Sequence, residues 1–130
     1  MWRIIPLIIF ALLVAGCGTQ ESVISYADLP AQGDVANGER LFNQLDGLAP
    51  SCVNCHQEGA QAAPHIVVAD YPQLAANRVE GQDAREYTFH AIANPGQHIV
   101  EGYGNAMYNR YDENLTPQQI ADLVDYLVEQ

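Results

Sequence analysis

Apolar positions along this chain fall into three patterns. Residues 4–15 form a continuous apolar run, broken only by Pro6. Further on, Val35, Gly38, Leu41, Phe42 and Leu45 recur at helical spacing and mark the inner face of a first helix, with Asp34 placed to cap it. Near the C-terminus, Ile120, Leu123, Val124 and Leu127 follow the i, i+3, i+4, i+7 rule of an amphipathic helix. Local chemistry marks the start of that helix. Thr116 is the N-cap, Pro117 the first helical residue, and Gln119 completes a capping box. Leu115 and Ile120 are spaced as a hydrophobic staple. No strand pattern flanks the central cysteines, and no internal repeat or low-complexity run is visible.

The first run is too short to cross a bilayer. Twelve helical residues span ~18 Å, against a hydrocarbon core of ~30 Å. Behind the positive start at Arg3 it reads as a secretory leader. The run ends Leu13-Val14-Ala15-Gly16-Cys17, which resembles the bacterial lipobox. That resemblance implies cleavage before Cys17, a thioether-linked diacylglycerol on Cys17 and an acylated amine. Three acyl chains exceed what stable anchoring requires. The anchor would hold the chain on the outer, periplasmic face of the cytoplasmic membrane. Residues 18–33 are polar and turn-rich, with Gly18, Pro30 and Gly33, and read as a flexible tether. Such a tether reaches at most ~55 Å and has a typical end-to-end distance of roughly 20–24 Å. The expected organisation is a leader over 1–16, a lipid-anchored tether over 17–33 and one folded domain over 34–130.

Charge narrows the partners. The 130 residues carry 16 acidic and five basic side chains, for a net charge of -11, and every basic residue is an arginine. Loss of Arg3 with the leader would bring the balance to -12. A surface this acidic repels phosphate, which argues against nucleic acid as a partner. The length suits one domain, and a hydrophobic content of 48% is ordinary for a globular chain.

The chemistry concentrates in Cys52-Val53-Asn54-Cys55-His56. This C-x-x-C-H pattern reads as c-type haem attachment. Positions i and i+3 share one face of a helical turn, so both thiols reach one edge of a haem, and the adjacent His56 reaches its iron. A zinc site needs about four ligands, and there is no second cysteine pair. A thioredoxin-like pair needs a strand–helix–strand context. A structural disulfide would leave His56 unexplained. Lipid on Cys17 and haem on Cys52 and Cys55 account for all three cysteines. The second axial ligand is sought among His65, His90, His98 and Met107. Met107 is the only methionine left after loss of the leader, and it lies in the loop Gly102-Tyr103-Gly104-Asn105-Ala106-Met107-Tyr108. The three other histidines read as solvated or hydrogen-bonded loop residues.

With these residues in view, the chain resembles a class I c-type cytochrome over residues 34–130. The resemblance rests on C-x-x-C-H, on Gly38 and Phe42 four apart in the first helix, on Tyr126 in the last, and on Pro64 in Ala63-Pro64-His65-Ile66. It implies an all-α class I cytochrome c fold: four to five short helices around one covalently bound haem c. Tyr126 would pack over Gly38 where the terminal helices cross. The Pro64 carbonyl would accept a hydrogen bond from His56, fixing the imidazole. His56 and Met107 would be the axial ligands. The stretch Asn94-Pro95-Gly96-Gln97-His98-Ile99-Val100-Glu101-Gly102-Tyr103 is similar to cytochrome domains fused to oxidase subunit II and to the monohaem lipoprotein subunit of alternative complex III. One departure stands out: the family usually has proline after the methionine, and this chain has Tyr108.

The implied function is a membrane-anchored, non-catalytic electron carrier in a respiratory or photosynthetic chain, a subunit or docking partner of a quinol-oxidising complex or terminal oxidase. An acidic carrier is expected to meet a basic or apolar patch. The alternatives are a five-coordinate haem sensor or small peroxidase, which needs Met107 detached, and an assembly subunit with a mainly structural haem.

Overall fold

The computed structural model describes residues 22–129. The leader, Cys17 and the first residues of the expected tether lie outside them. Among the described residues the fold is all-α: α1 (Val35–Asn43), α2 (Tyr71–Ala75), α3 (Ala84–Ala93), α4 (Tyr111–Asn114) and α5 (Pro117–Val128). No helix among these residues is long and apolar enough to cross a membrane.

The two terminal helices form as their local chemistry dictates. The Asp34 carboxylate accepts from Asn37 N at 3.0 Å and starts α1. Thr116 and Gln119 form the reciprocal capping box of α5, with Pro117 in its first turn. Leu41, Phe42, Leu115, Ile120, Leu123, Val124 and Leu127 are all buried in one core cluster. α1 and α5 cross where α1 has no side chain. A Cβ on Gly38 would lie 2.6 Å from Tyr126 Cβ and closer still to the Asp122 carbonyl. The Phe42 and Tyr126 rings meet beside this crossing, 5.7 Å between centroids.

α3 is a helix that the apolar spacing did not announce. Asp83 caps it by accepting from Glu86 N at 2.8 Å. Its buried residues, Tyr87, Thr88, Phe89, Ile92 and Ala93, occupy more than one face. They do so because α3 is enclosed: it packs on α2, α4 and α5. A helix covered on several sides has no single stripe to read.

The flexible tether expected over 17–33 is corrected where it is described. Residues 22–33 lie docked on the domain. Leu29 joins the core, and the Tyr26 ring sits 5.5 Å from that of Phe89. The docking groups are buried carboxylates. Asp112 Oδ2 accepts from Val23 N at 2.7 Å, Asp125 Oδ2 from Gly33 N, and Asp122 Oδ1 from Asp34 N at 2.7 Å. Arg85 donates through Nη2 to the Pro30 carbonyl and through Nε to Asp125, at 2.7 and 2.8 Å. Gly33, counted among the turn-rich residues of the tether, is a close-approach residue: a Cβ there would collide with the Ala121 backbone.

Two predictions follow from this packing. Gly38→Ala raises helix propensity by about 0.5–1 kcal/mol, yet the forced separation of α1 and α5 should leave a net loss of about 2–4 kcal/mol. Urea titration of the haem-loaded protein measures it, and an unchanged midpoint would contradict the tight crossing. The second concerns acid. Burial alone would push the Asp122 carboxyl up, but hydrogen bonds from Asp34 N–H, Gln118 and Asn37 outweigh it and hold the group below the usual carboxylate range. A depressed carboxylate stabilises the fold above its unfolded pKa of about 4, and that contribution is lost as pH falls through the lower folded value. Asp122→Asn should therefore reduce stability near neutrality and flatten its decline in acid. Thermal melts from about pH 7 down to about pH 2 test this, the contrary result being two parallel curves.

Candidate haem site

The C-x-x-C-H segment follows α1 after a short turn, and two hydrogen bonds hold its approach. Leu45 N donates to Ser51 Oγ at 3.1 Å, and Tyr111 Oη donates to the Pro50 carbonyl at 2.7 Å. Cys52–Asn54 then makes one tight helical turn. Cys55 N and His56 N both point back to the Cys52 carbonyl, at 3.2 and 3.0 Å. The chain returns after a loop, where Ile66 N donates to the His56 carbonyl at 3.1 Å.

That return brings Pro64 beneath the imidazole. His56 Nδ1 lies 2.8 Å from the Pro64 carbonyl oxygen. A carbonyl only accepts, so Nδ1 carries the proton and Nε2 keeps its lone pair. Burial lowers the His56 pKa from its ordinary value, against the opposing pull of the Pro64 carbonyl. The ring is thus neutral at neutral pH, the form that binds a metal. Cys52 and Cys55 are both free. Burial, the largest influence, pushes the Cys52 thiol up to about 11, with Cys55 adding to it and a backbone hydrogen bond opposing. A nucleophilic redox cysteine shows the reverse shift.

These groups open onto one cleft of about 420 Å³, within the ~300–1,000 Å³ range of cofactor sites. Its wall includes Cys52, Cys55, His56, Pro64 and Met107, so the five described residues expected to hold the haem are brought together. Met107 comes from the long loop after α3, a different part of the chain from His56. Among the described residues no cluster of three or more His, Cys, Asp or Glu side chains is arranged to hold a metal ion.

The rest of the wall was not foreseen. Five of the seven tyrosines line it: Tyr71, Tyr87, Tyr103, Tyr108 and Tyr111. The tyrosine count was the available signal. His65 and His98, read as ordinary loop residues, also border the cleft, whereas His90 packs against Tyr26 and Phe89 outside it. Among the described residues no Asp or Glu lines the cleft, and Arg78 is the sole arginine on its wall. Arg40, Arg85 and Arg110 are ion-paired, to Asp46, Asp125 and Glu113, but Arg78 forms no ion pair among the described residues. Tyr108, standing where a proline was expected, is held at both ends. Its ring meets Tyr111 edge-on at 5.0 Å, and its hydroxyl accepts from Asn114 Nδ2 at 2.6 Å.

Two thiols, an imidazole and a thioether on one mostly apolar cleft of an all-α domain fit a haem, in donor chemistry and in space. They define the class: a helical haem-thioether domain. The cytochrome c family model matches residues 35–130, and the chain belongs to the cytochrome c family. Domains of this family carry covalently bound haem c, serve electron transport and are typically extracytoplasmic. Neither the curated proteins nor the solved structures contain a significant match.

Removing the hydroxyl that braces the motif should cost about 1 kcal/mol, the usual net worth of one such hydrogen bond. Tyr111→Phe, compared with wild type by chemical denaturation, checks this. A loss well below half that value would mean that Pro50 is held by other means.

Proposed function

We propose that this chain is a membrane-anchored, monohaem electron carrier of a respiratory or photosynthetic chain. It would serve a quinol-oxidising complex or terminal oxidase, as subunit or docking partner, and do no substrate chemistry itself. The observation that carries the reading is the convergence of Cys52, Cys55, His56 and Met107 on one cleft. In this reading Cys52 and Cys55 hold the haem covalently, and His56 Nε2 and the Met107 thioether bind its iron. Bound there, haem supplies a one-electron iron couple with no open coordination site.

The chain's own groups would tune that couple. Pro64 holds His56 in one tautomer and orientation. Methionine sulfur is a weaker donor to ferric iron than imidazole, which raises the reduction potential. The apolar wall adds to this by disfavouring extra positive charge. Arg78 would face the haem carboxylates, its cation unpaired by any described acid. An apolar partner surface is favoured over a basic one at the cleft, because the described residues of its wall include no acid and do include the half-exposed Leu74 and Ile99. The anchor is the lipid on Cys17, outside the described residues, which would keep the domain at the outer face of the cytoplasmic membrane.

The ferric protein should show the weak long-wavelength absorption band of methionine-ligated haem, and Met107→Ala should abolish it. A high-spin wild-type spectrum, or ready carbon monoxide binding at neutral pH, would point instead to the sensor or peroxidase. Arg78→Ala should lower the midpoint potential, by an amount on the order of tens of millivolts, since a lost cation favours the ferric state. Potentiometric titration reads it, and a rise would contradict the role given to Arg78.

A further inference from the structure

We propose that residues 23–34 are a fixed strap that delivers the membrane anchor to the α4 edge of the domain. The haem cleft is then held to the lipid surface by a leash of only about five residues. This rests on the reading of Cys17 as the lipidated residue.

The strap is built, not merely adjacent. Its backbone N–H groups at Val23, Gly33 and Asp34 each donate to a carboxylate of the domain, those of Asp112, Asp125 and Asp122. All three aspartates are buried, at 6%, 0% and 2% exposure. Gln118 Nε2 donates to the Gln32 carbonyl, and Arg85 to that of Pro30. A buried carboxylate needs donors. Peeling the strap away would remove a donor from each of the three aspartates, which makes the bound position the favoured one.

The outermost of these contacts sets where the leash begins. Val23 is pinned to Asp112 on α4. Asp112 follows Tyr111, which lines the haem cleft and donates to the Pro50 carbonyl. The anchored end therefore leaves the domain at α4, the helix that supplies Tyr111 to the cleft wall. Only residues 18–22 remain between Cys17 and Val23. Five free residues have an end-to-end distance of roughly 11–13 Å, against roughly 20–24 Å for a free segment of sixteen. The described end also carries an exposed apolar side chain, Val23.

The geometry makes a quantitative demand. Inserting twelve Gly/Ser residues between 21 and 22 should nearly double a five-residue leash, to roughly 21–25 Å, but lengthen a sixteen-residue one by only about a third. Haem quenches a fluorescent lipid headgroup by energy transfer, so the distance is readable. The haem-loaded mature protein is bound to phosphatidylcholine vesicles containing headgroup-labelled lipid, with and without the insertion. The same pair is repeated with an N-terminal hexahistidine in place of Cys17, on nickel-chelating lipid. Expected is a fall in quenching of about twofold or more in both pairs, as near-doubling of the leash requires. Amide exchange supplies the second readout: Val23, Gly33 and Asp34 should be protected in the haem-loaded protein. Free-peptide exchange at these amides, or quenching that barely changes on insertion in the chelate pair, overturns the strap. Absence of lipid on the native Cys17 overturns the membrane reading, and the chelate pair then shows whether the strap fails with it.

Discussion

The backbone contact between α1 and α5 at Gly38 is the constraint on which the other elements depend. With no side chain between them, the two helices meet closely enough for Tyr126 to reach Phe42. The core then closes around Leu41, Ile120 and Val124. That fixes the end of α1, and the C-x-x-C-H turn follows within nine residues of it. The same approach continues upstream, where Gly33 lies against the Ala121 backbone. One face of α5 thus receives two separate stretches of the N-terminal chain, each admitted by a glycine.

Charge is distributed in a way that the net value conceals. Sixteen acids suggest a uniformly solvated acidic surface. Three of them instead turn inward on α4 and α5 as acceptors for the strap, and no described acid lines the cleft. Asp125 is fully buried and paired with Arg85, so removing Arg85 alone would strand a buried charge. At the cleft the charged side chain among the described lining residues is Arg78, so the overall charge of -11 describes the molecule at longer range rather than this wall.

Different parts of the molecule were legible for different reasons. The capping box of α5 and the spacing of Ile120, Leu123, Val124 and Leu127 are local signals, and they form as read. Pro64 was reached through family resemblance alone, and its carbonyl does meet His56. α3 escaped notice because enclosure on several sides erases periodicity. The strap escaped because its polar, turn-rich composition is what a free linker also has. What distinguishes the two is the carboxylates that receive it, and these lie about ninety residues away in sequence. Aspartates inside an amphipathic helix give no sequence sign of whether water or a distant N–H will meet them.

Tyr108 shows how a departure from a family pattern is absorbed. Proline after the methionine would stiffen the loop by locking its own φ and restricting the residue before it. Tyr108 has neither property. Its stiffness comes from tertiary contacts: the edge-on packing against Tyr111 and the hydrogen bond from Asn114. Both partners sit on α4, the helix whose Asp112 also receives the strap and whose Tyr111 braces the haem motif. A four-residue helix with little intrinsic stability therefore joins three segments: the C-x-x-C-H approach, the Met107 loop and the strap. Its own order depends on those contacts. Loosening any one of them is expected to loosen the others, so the family's single-residue device is replaced here by a shared one.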